Sequence, residues 1–423
     1  MENMAAYLAT AAASLLAIYI LTLIYGSVRQ QLQLARHFEE QSSLFRARAD
    51  SLQKARAEEI QKTQNTWNGF RKFEVAEKIN EIDDCHSIYL KPHDGRPLPP
   101  FEPGQFLTFK FKVPDQASDV IRCYSLSDAP GRDYYRITVK KVPPPRGKPE
   151  LPSGVSSTYV NEVLKQGDII DVRAPNGGFY LQRQHRRPVV LIGGGVGITP
   201  VLSMLNYIVE HEPDRETWFF FGAPNKAGHI MKQHLREVAE NHPNINMNIC
   251  YSDPTENDVH GEDYDHHARV SVELFKELLP SNNYEYYFCG PPPMMNALDA
   301  DLKAWGVPEA DIHYEAFGPA SVKKAAPPPA AGEDSQAAAA IPLTFAKSGK
   351  TFDWTPAAGT ILDLAEANGV DIASGCRAGS CGTCLTAVIE GDVGYATPPD
   401  AAVENGSCLA CVGTPKGPLK IDA

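Results

Sequence analysis

Ser374-Gly-Cys-Arg-Ala-Gly-Ser-Cys-Gly-Thr-Cys384 decides how the rest of the chain is read. Cys376, Cys381 and Cys384 stand at C-x4-C-x2-C. Cys411 follows after 26 intervening residues, in Leu409-Ala-Cys-Val-Gly-Thr-Pro415. Four thiolates at this spacing are the ligand set of a [2Fe–2S] cluster. The glycines between them let the backbone bend tightly and aim N–H groups at the sulfurs. A zinc site and a disulfide pair are the other readings of such cysteines. Zinc motifs usually join two C-x2-C knuckles, and a cytosolic chain rarely keeps disulfides. Cys408 competes with Cys411 for the fourth position.

Working outward, the 423 residues have room for about three domains at ~100–200 residues each. The net charge of −12 argues against nucleic-acid binding. Of nine cysteines, Cys85, Cys123, Cys250 and Cys289 are scattered, as buried thiols usually are. Residues 5–25, AAYLATAAASLLAIYILTLIY, are 21 uncharged and mostly apolar residues. As a helix they are long enough for a ~30 Å hydrocarbon core. A cleaved signal peptide would want basic residues before the apolar stretch and small ones after it. Here only Glu2 precedes, and the small residues come first. Arg29, Arg36, Arg46 and Arg48 follow the stretch, so the positive-inside rule puts the bulk of the chain in the cytoplasm, on an inner-membrane anchor.

Residues 27–66 are polar, proline-free and rich in Gln, Glu, Arg and Ala. Phe38, Phe45 and Leu52 lie seven apart, which reads as a helical stalk, either solvated or self-associating. From Trp67 the pattern becomes period-2 runs such as Gln105-Phe-Leu-Thr-Phe-Lys-Phe-Lys-Val113, broken by turn residues. Many strands and little helix predict a small antiparallel barrel over 67–186. From Pro188 strand and helix patterns alternate. The expected strands are 189–192, 217–221, 245–251 and 284–289; the expected helices are 201–209, 229–241, 271–279 and 292–305. That order predicts a parallel α/β domain over 187–318, with its ligand at the carboxyl ends of the strands. Residues 319–341 form an Ala/Pro-rich linker that cannot build a core. The cysteine module takes 342–423. His260-Gly-Glu-Asp-Tyr-Asp-His-His267 has no spacing that converges its imidazoles and reads as an exposed acidic loop.

Four further motifs carry chemistry. Arg122-Cys-Tyr-Ser125 offers a guanidinium for a phosphate, an aromatic ring and a hydroxyl, which suits a flavin. An ordinary strand end is the plain alternative. Gly154-Val-Ser-Ser157 opens a helix pattern, where free N–H groups and hydroxyls make an anion site or merely a cap. Gly193-Gly-Gly-Val-Gly-Ile-Thr-Pro200 directly follows a strand and lets a pyrophosphate approach the helix start. Close strand–helix packing alone would also use those glycines. Cys289-Gly-Pro-Pro-Pro-Met294 ends the last strand, either as a site thiol or as a buried one before a turn.

In this order, R-x-Y-S, G-x-x-S, GGGVGITP and CGPPPMM resemble the ferredoxin–NADP reductase superfamily. With the cysteine module behind them, residues 70–423 are similar to NADH-dependent reductase components of bacterial oxygenases, and also to the hybrid-cluster protein reductase. The resemblance implies FAD in the barrel, NADH in the α/β domain and a β-grasp ferredoxin-like domain of plant type at the end. Leu-Ala-Cys-Val-x-x-Pro looks like the ferredoxin ending, which favours Cys411 over Cys408. Tyr124, Ser125, Cys289 and Phe317 are implied at the reacting centre, Phe317 covering the flavin ring. Arg122, Val139, Lys140, Gly154, Val155, Ser156 and Ser157 are implied around the flavin. Gly194, Gly195, Val196, Gly197, Thr199, Pro200, Asp253, Gly290, Pro291 and Met294 are implied around the nucleotide. NADP-using relatives tend to place Ser-Arg where this chain has Ser252-Asp253, so the resemblance implies NADH. The N-terminal anchor and stalk depart from the usual soluble reductase of this kind.

NADH gives up two electrons together, and a [2Fe–2S] cluster takes one at a time, so a flavin belongs between them. The expected path runs from NADH through flavin and cluster to an external acceptor. That acceptor is expected to be a membrane-associated oxygenase, hydroxylase or desaturase. A respiratory NADH:quinone oxidoreductase subunit is the competing enzyme, although there the cluster module precedes the flavin domain. An electron-carrier subunit with vestigial sites is the non-enzymatic alternative, against which the intact motifs argue.

Overall fold

The computed structural model describes residues 15, 19–27, 29–31, 53, 65–116, 118–144, 147–315, 317, 340–379, 381–396, 399, 401 and 403–423. The chain divides into two compact units, Met1–Gln64 and Asn65–Ala423. In the first, residues 19–27 and 29–31 are helical, and Tyr19, Ile20, Leu21, Leu23, Ile24 and Tyr25 are all exposed. Among the described residues no helix is long and apolar enough to cross a membrane. Most of the apolar stretch 5–25 lies outside the described residues, as does nearly all of the stalk.

The second unit begins with six strands: β1 (Arg71–Ile82), β2 (Cys85–Pro92), β3 (Phe106–Phe111), β4 (Val120–Ser125), β5 (Tyr135–Lys140) and β6 (Ile169–Val172). Their order is β4-β3-β6-β1-β2-β5, with every pair antiparallel. The period-2 pattern explains the inward face. Phe73 and Val75 are buried while Lys72 and Glu74 between them are exposed. The sheet curls back on itself just past β4. There Leu126 bridges Ile137, and Ser127 N–H donates to Arg136 O at 2.8 Å. Phe109, Phe111, Tyr135 and Val160 fill the interior. The short helix α1 (Val155–Thr158) runs into a π-helical turn, Tyr159–Val163, whose Tyr159 ring packs 5.5 Å from Phe111.

Five parallel strands follow: β7 (Val189–Gly194), β8 (Thr217–Ala223), β9 (Ile245–Tyr251), β10 (Glu285–Cys289) and β11 (Ile312–Glu315), in the order β11-β10-β7-β8-β9. The central strand β7 is buried along its whole length, as a strand covered on both faces should be. Helices α2 (Ile198–His211) and α3 (Lys232–Asn241) contribute to the core on one face. Helices α4 (Val272–Leu278) and α5 (Pro292–Ala304) contribute to the core on the other. The helix expected over 229–241 starts later, at Lys232. Met231 takes a left-handed backbone (φ 60) and breaks the pattern, while His229 is drawn into the core to meet Tyr251 Oη at 2.8 Å.

The last module is a five-stranded mixed sheet, β13-β12-β18-β14-β16. It is built from β12 (Ile341–Phe345), β13 (Lys350–Trp354), β14 (Leu385–Glu390), β16 (Ser407–Leu409) and β18 (Leu419–Ile421). Strands β15 (Val393–Tyr395) and β17 (Gly413–Pro415) pair separately. Helix α6 (Ile361–Ala367) opens with a capping box in which Thr360 and Asp363 satisfy each other's backbone N–H. Its Ile361, Leu362 and Leu364 join Leu343, Phe345 and Leu409 in the core. The linker residues 319–339 lie outside the described residues.

Candidate active site and cluster loop

In the α/β sheet the parallel register lines up the strand ends. Cys289 pairs with Gly193 on one side and Glu315 on the other. The glycine motif of β7 therefore ends level with the Cys289 turn. Gly197 sits so close to that turn that an added Cβ would overlap the Cys289 carbonyl group. Only glycine permits this approach. Gly194 is similarly pressed: a Cβ there would lie 2.8 Å from Met294 Sδ and 2.9 Å from Pro291 Cδ. Gly195 adopts φ +54. Thr199 and Pro200 are buried at the start of α2, where Thr199 Oγ1 donates to Val196 O at 3.1 Å. Cys289 is wholly buried, and burial pushes its thiol well up. Gly290 presses on Met294, which closes this side of the turn.

A cavity of about 1280 Å³ opens in front of these strand ends. Arg122, Tyr124, Ser125, Val139 and Lys140 line it from the barrel. The whole 154–157 turn, with Gly154, Val155, Ser156 and Ser157, lines it too, as do Val196, Thr199, Glu315 and Phe317 from the α/β domain. Tyr124 Oη lies 2.8 Å from Ser156 Oγ, which fixes the ring's orientation. Burial pushes the Tyr124 phenol up to about 12, so it remains protonated. Ser157 Oγ donates to Gly154 O at 3.0 Å and accepts from Val142 N–H at 3.0 Å. Phe317 is 40% exposed at the cavity's edge. Asp253 stands apart, exposed beyond β9, with its N–H donated to Pro224 O at 2.8 Å. Lys226, from the neighbouring turn, is ion-paired with Asp263 at 3.0 Å.

The same cavity is bounded by the cysteine loop, through Gly375, Cys376, Arg377, Ala378, Cys411 and Val412. Within that loop the sulfurs gather in two pairs. Cys376 N–H donates to Cys381 Sγ at 3.3 Å, and Cys381 N–H donates to Cys376 Sγ at 3.3 Å. Ala378 N–H is a second donor to Cys376 Sγ at 3.4 Å. Cys384 and Cys411 form the second pair by a side-chain hydrogen bond. An added Cβ at Gly375 would lie 3.0 Å from Cys381 Sγ, so backbone and sulfur are already in contact there. Soft sulfur donors in two pairs, with backbone N–H groups aimed at them, fit a two-iron cluster. Cys408 differs. It lies on β16 opposite Thr386, fully buried, and burial pushes its thiol up to about 12.

Two residues belong to this region that sequence reasoning did not assign to it. Glu315 Oε2 accepts a hydrogen bond from Ser125 Oγ at 3.1 Å, across the boundary between barrel and α/β domain. Phe317, two residues on, pointed to the segment but not to the carboxylate. Cys123, grouped by sequence with the scattered buried thiols, lies beside Cys381, which together with burial pushes the Cys123 thiol up. Nothing local to either cysteine signals that contact. In the 260–267 loop the imidazoles do not converge: His260 Nε2 lies 3.0 Å from Asp265 O, and His266 Nε2 lies 3.0 Å from Asn248 Oδ1.

Residues 83–180 match the oxidoreductase FAD-binding domain. Residues 191–300 match the oxidoreductase NAD-binding domain, and 343–416 the 2Fe-2S iron-sulfur cluster binding domain. A flavohemoprotein of Bacillus anthracis is 41% identical over 264 residues, covering 62% of this chain and 65% of that protein. A flavohemoprotein of Rhizobium meliloti is 40% identical over 253 residues, covering 60% and 62%. The chain thus spans just under two thirds of the length of these relatives. Among solved structures, the FAD/NAD-binding domain of a nitric oxide dioxygenase from Vibrio cholerae O1 biovar El Tor is 30% identical. It matches over 60% of this chain and 100% of its own length, with a TM-score of 0.53. A phthalate dioxygenase reductase matches over 84% of this chain and 98% of its own, at 24% identity and a TM-score of 0.52, and so shares the fold. The chain belongs to the oxidoreductases that join an FAD-binding to an NAD-binding domain, and it carries a 2Fe-2S iron-sulfur cluster binding domain behind them.

Proposed function

We propose that this chain is a membrane-anchored reductase that draws electrons from NADH and delivers them to a membrane-associated oxygenase, hydroxylase or desaturase. The observation that carries the reading is a single cavity walled by Tyr124, Ser125 and Glu315 on one side and by Cys376 and Ala378 of the cysteine loop on another. Such a cavity brings a flavin site and a cluster site within reach of each other. The domain limits 67–186, 187–318 and 342–423 and the residue roles below are part of the same proposal. Support for the anchor is the uncharged stretch 5–25, whose described part is an exposed apolar helix. An oxygenase-type acceptor is supported by the fold shared with the phthalate dioxygenase reductase.

FAD and the [2Fe–2S] cluster, when bound, supply the exchange between two-electron and one-electron chemistry. The chain's own residues do the positioning. Arg122 and the N–H groups and hydroxyls of 154–157 bind phosphate. Tyr124, its hydroxyl held by Ser156, presents a fixed ring face to the flavin. The glycine turn 193–197 brings the dinucleotide pyrophosphate to the start of α2. Thr199, Pro291 and Met294 wall the nicotinamide end against water. Cys289 sets the depth of that pocket. Ser125 donates its hydroxyl proton to the Glu315 carboxylate, which fixes where the hydroxyl points and leaves its lone pairs toward the flavin site. Cys376, Cys381, Cys384 and Cys411 would hold the cluster through their thiolates.

Purifying the full-length chain from membranes with its bound partner tests the reading. An oxygenase, hydroxylase or desaturase that NADH reduces only through this chain is the expected result. NADH:quinone activity in a respiratory assembly would replace it with the competing enzyme. Activity of the fragment 67–423 in solution, with loss from the membrane fraction, is expected once 1–66 are removed.

A further inference from the structure

The turn 154–157 lines the cavity, but part of what holds it there lies on a distant strand. The helical segment that starts in this turn runs unbroken from Val155 to Val163. Its second part is the π-helical turn, closed by Leu164 N–H on Tyr159 O at 2.9 Å. Carbonyls at the end of a helix have no partner within it. Here three of them, Val160 O, Asn161 O and Leu164 O, accept from Lys78 Nζ at 2.9, 2.7 and 2.8 Å. An ammonium has three N–H donors, so Lys78 can meet all three carbonyls at once. A cation at this end also complements the helix dipole. Lys78 sits on β1, 82 residues before Val160 in the chain. Asn161 ties the same segment sideways. Its Nδ2 donates to Ser157 O at 2.8 Å and to Val139 O of β5 at 3.2 Å, and its Oδ1 lies 2.8 Å from His86 Nδ1 of β2. The segment is thus fastened at its far end and along its side, and its first turn faces the cavity.

We propose that Lys78 is a positioning residue for flavin binding: by gathering the carbonyls at the far end of the 155–163 segment, it fixes where the N–H groups and hydroxyls of 154–157 meet the flavin phosphate. The proposal rests on the reading of 154–157 as the phosphate-binding turn of the barrel. Lys78 bonds to the carbonyl end of the segment and acts on the flavin only through it. Without the ammonium, three partly buried carbonyls lose their partner. They regain one only if the end of the segment moves out to water. A π-helical turn is a rare geometry, and the grip on Val160, Asn161 and Leu164 holds this one closed. Movement at that end is passed along the short segment to Ser156, whose Oγ lies 2.8 Å from Tyr124 Oη. One lysine thereby sets both the phosphate donors and the partner of the tyrosine ring.

The test measures flavin affinity of the full-length protein by flavin fluorescence, after reversible removal of bound flavin. FAD is compared with riboflavin, which lacks the phosphate. Lys78→Met is expected to weaken FAD by about 10- to 100-fold, the range of one charge-assisted hydrogen bond, and to leave riboflavin unchanged. Lys78→Arg keeps the charge and several donors and should recover most of the loss. Unchanged FAD affinity in Lys78→Met overturns the proposal. So does a loss that arginine fails to recover, and so does an equal loss for FAD and riboflavin, which would mean that the barrel as a whole is disturbed. Should Lys78→Met not fold, Lys78→Gln carries the test beside Lys78→Arg. FAD affinity falling in the order Lys, Arg, Gln is then the expected result, and equal affinities overturn the proposal. A wild-type protein that binds riboflavin as tightly as FAD would overturn the reading of 154–157 itself, which separates the two failures.

Discussion

Cys408 and Cys411 stand three positions apart, yet their surroundings differ. Cys408 is fully buried on β16, while Cys411 turns toward Cys384 and borders the cavity. Cys411→Ser should therefore bleach the visible iron–sulfur absorption, and Cys408→Ser should leave it intact. The reverse result would move the fourth ligand to Cys408. Ser125 and Glu315 make the second test at this scale. If the carboxylate aims the serine hydroxyl, Glu315→Gln weakens one charge-assisted hydrogen bond of about 1.4 kcal/mol, which is about tenfold in rate. Stopped-flow reduction of the flavin by NADH should slow by that order, with the flavin still bound. An unchanged rate would leave Glu315 a mere spacer. These contacts mark the limit of what the sequence discloses. The motifs at 122–125, 154–157 and 193–200 are local, so each could be read with its chemistry from a few neighbouring residues. The Ser125–Glu315 bond joins positions 190 residues apart, and the Cys123–Cys381 contact joins two domains. Such pairs depend on tertiary placement, which no window of sequence contains.

At the scale of elements, hydrophobic periodicity pointed to four of the five parallel strands and most of the helices, missing β11 and failing again at a left-handed residue. The pattern over 229–241 is helical in composition, but Met231 at φ 60 delays α3 to Lys232. A left-handed residue is a response to packing of His229 against Tyr251 and leaves no periodic trace. The start of β10 carries another feature invisible to hydropathy. Arg215 is completely buried and pairs with Glu212 at 2.9 Å and Glu285 at 3.3 Å. Arg215→Ala would leave the buried Glu212 without its cation and Glu285 with only Arg187 at 3.8 Å, a loss of about 3–5 kcal/mol. Chemical denaturation should show it as a lower midpoint for the α/β domain, whereas a midpoint unchanged from wild type would mean water replaces the guanidinium. On the proposed reading, the turn after β9 sets nucleotide choice by charge. A 2′-phosphate there would meet Asp253, and the nearby Lys226 is already engaged by Asp263. Asp253→Arg should narrow the preference for NADH over NADPH in flavin reduction. Equal rates and affinities for both nucleotides in the unmodified protein would remove Asp253 from this role.

At the scale of the molecule, the cysteine loop and the flavin-side motifs border one cavity, so the edge of the loop nearest the flavin is covered while the module sits there. An acceptor protein that needs the same edge can approach only after the module moves. The tether available is the Ala/Pro-rich tract 319–341, of which 319–339 lie outside the described residues and are read from composition alone. A flexible chain of ~20 residues has an r.m.s. reach of about 25 Å, enough to swing a small module from one docking place to another. Two steps then depend on the tether differently. Reduction of the flavin by NADH takes place within 67–318 and does not need the module to travel. Delivery to the partner does. Deleting most of 322–338 should slow reduction of the acceptor several-fold while stopped-flow flavin reduction keeps its wild-type rate. The transfer from flavin to cluster should be retained too, provided the residual chain still permits docking on β4. Equal slowing of flavin reduction and delivery would mean that the deletion had disturbed the flavin domain itself. Unchanged delivery would mean that the acceptor reaches the cluster from the side opposite the cavity, and that the module works as a fixed relay.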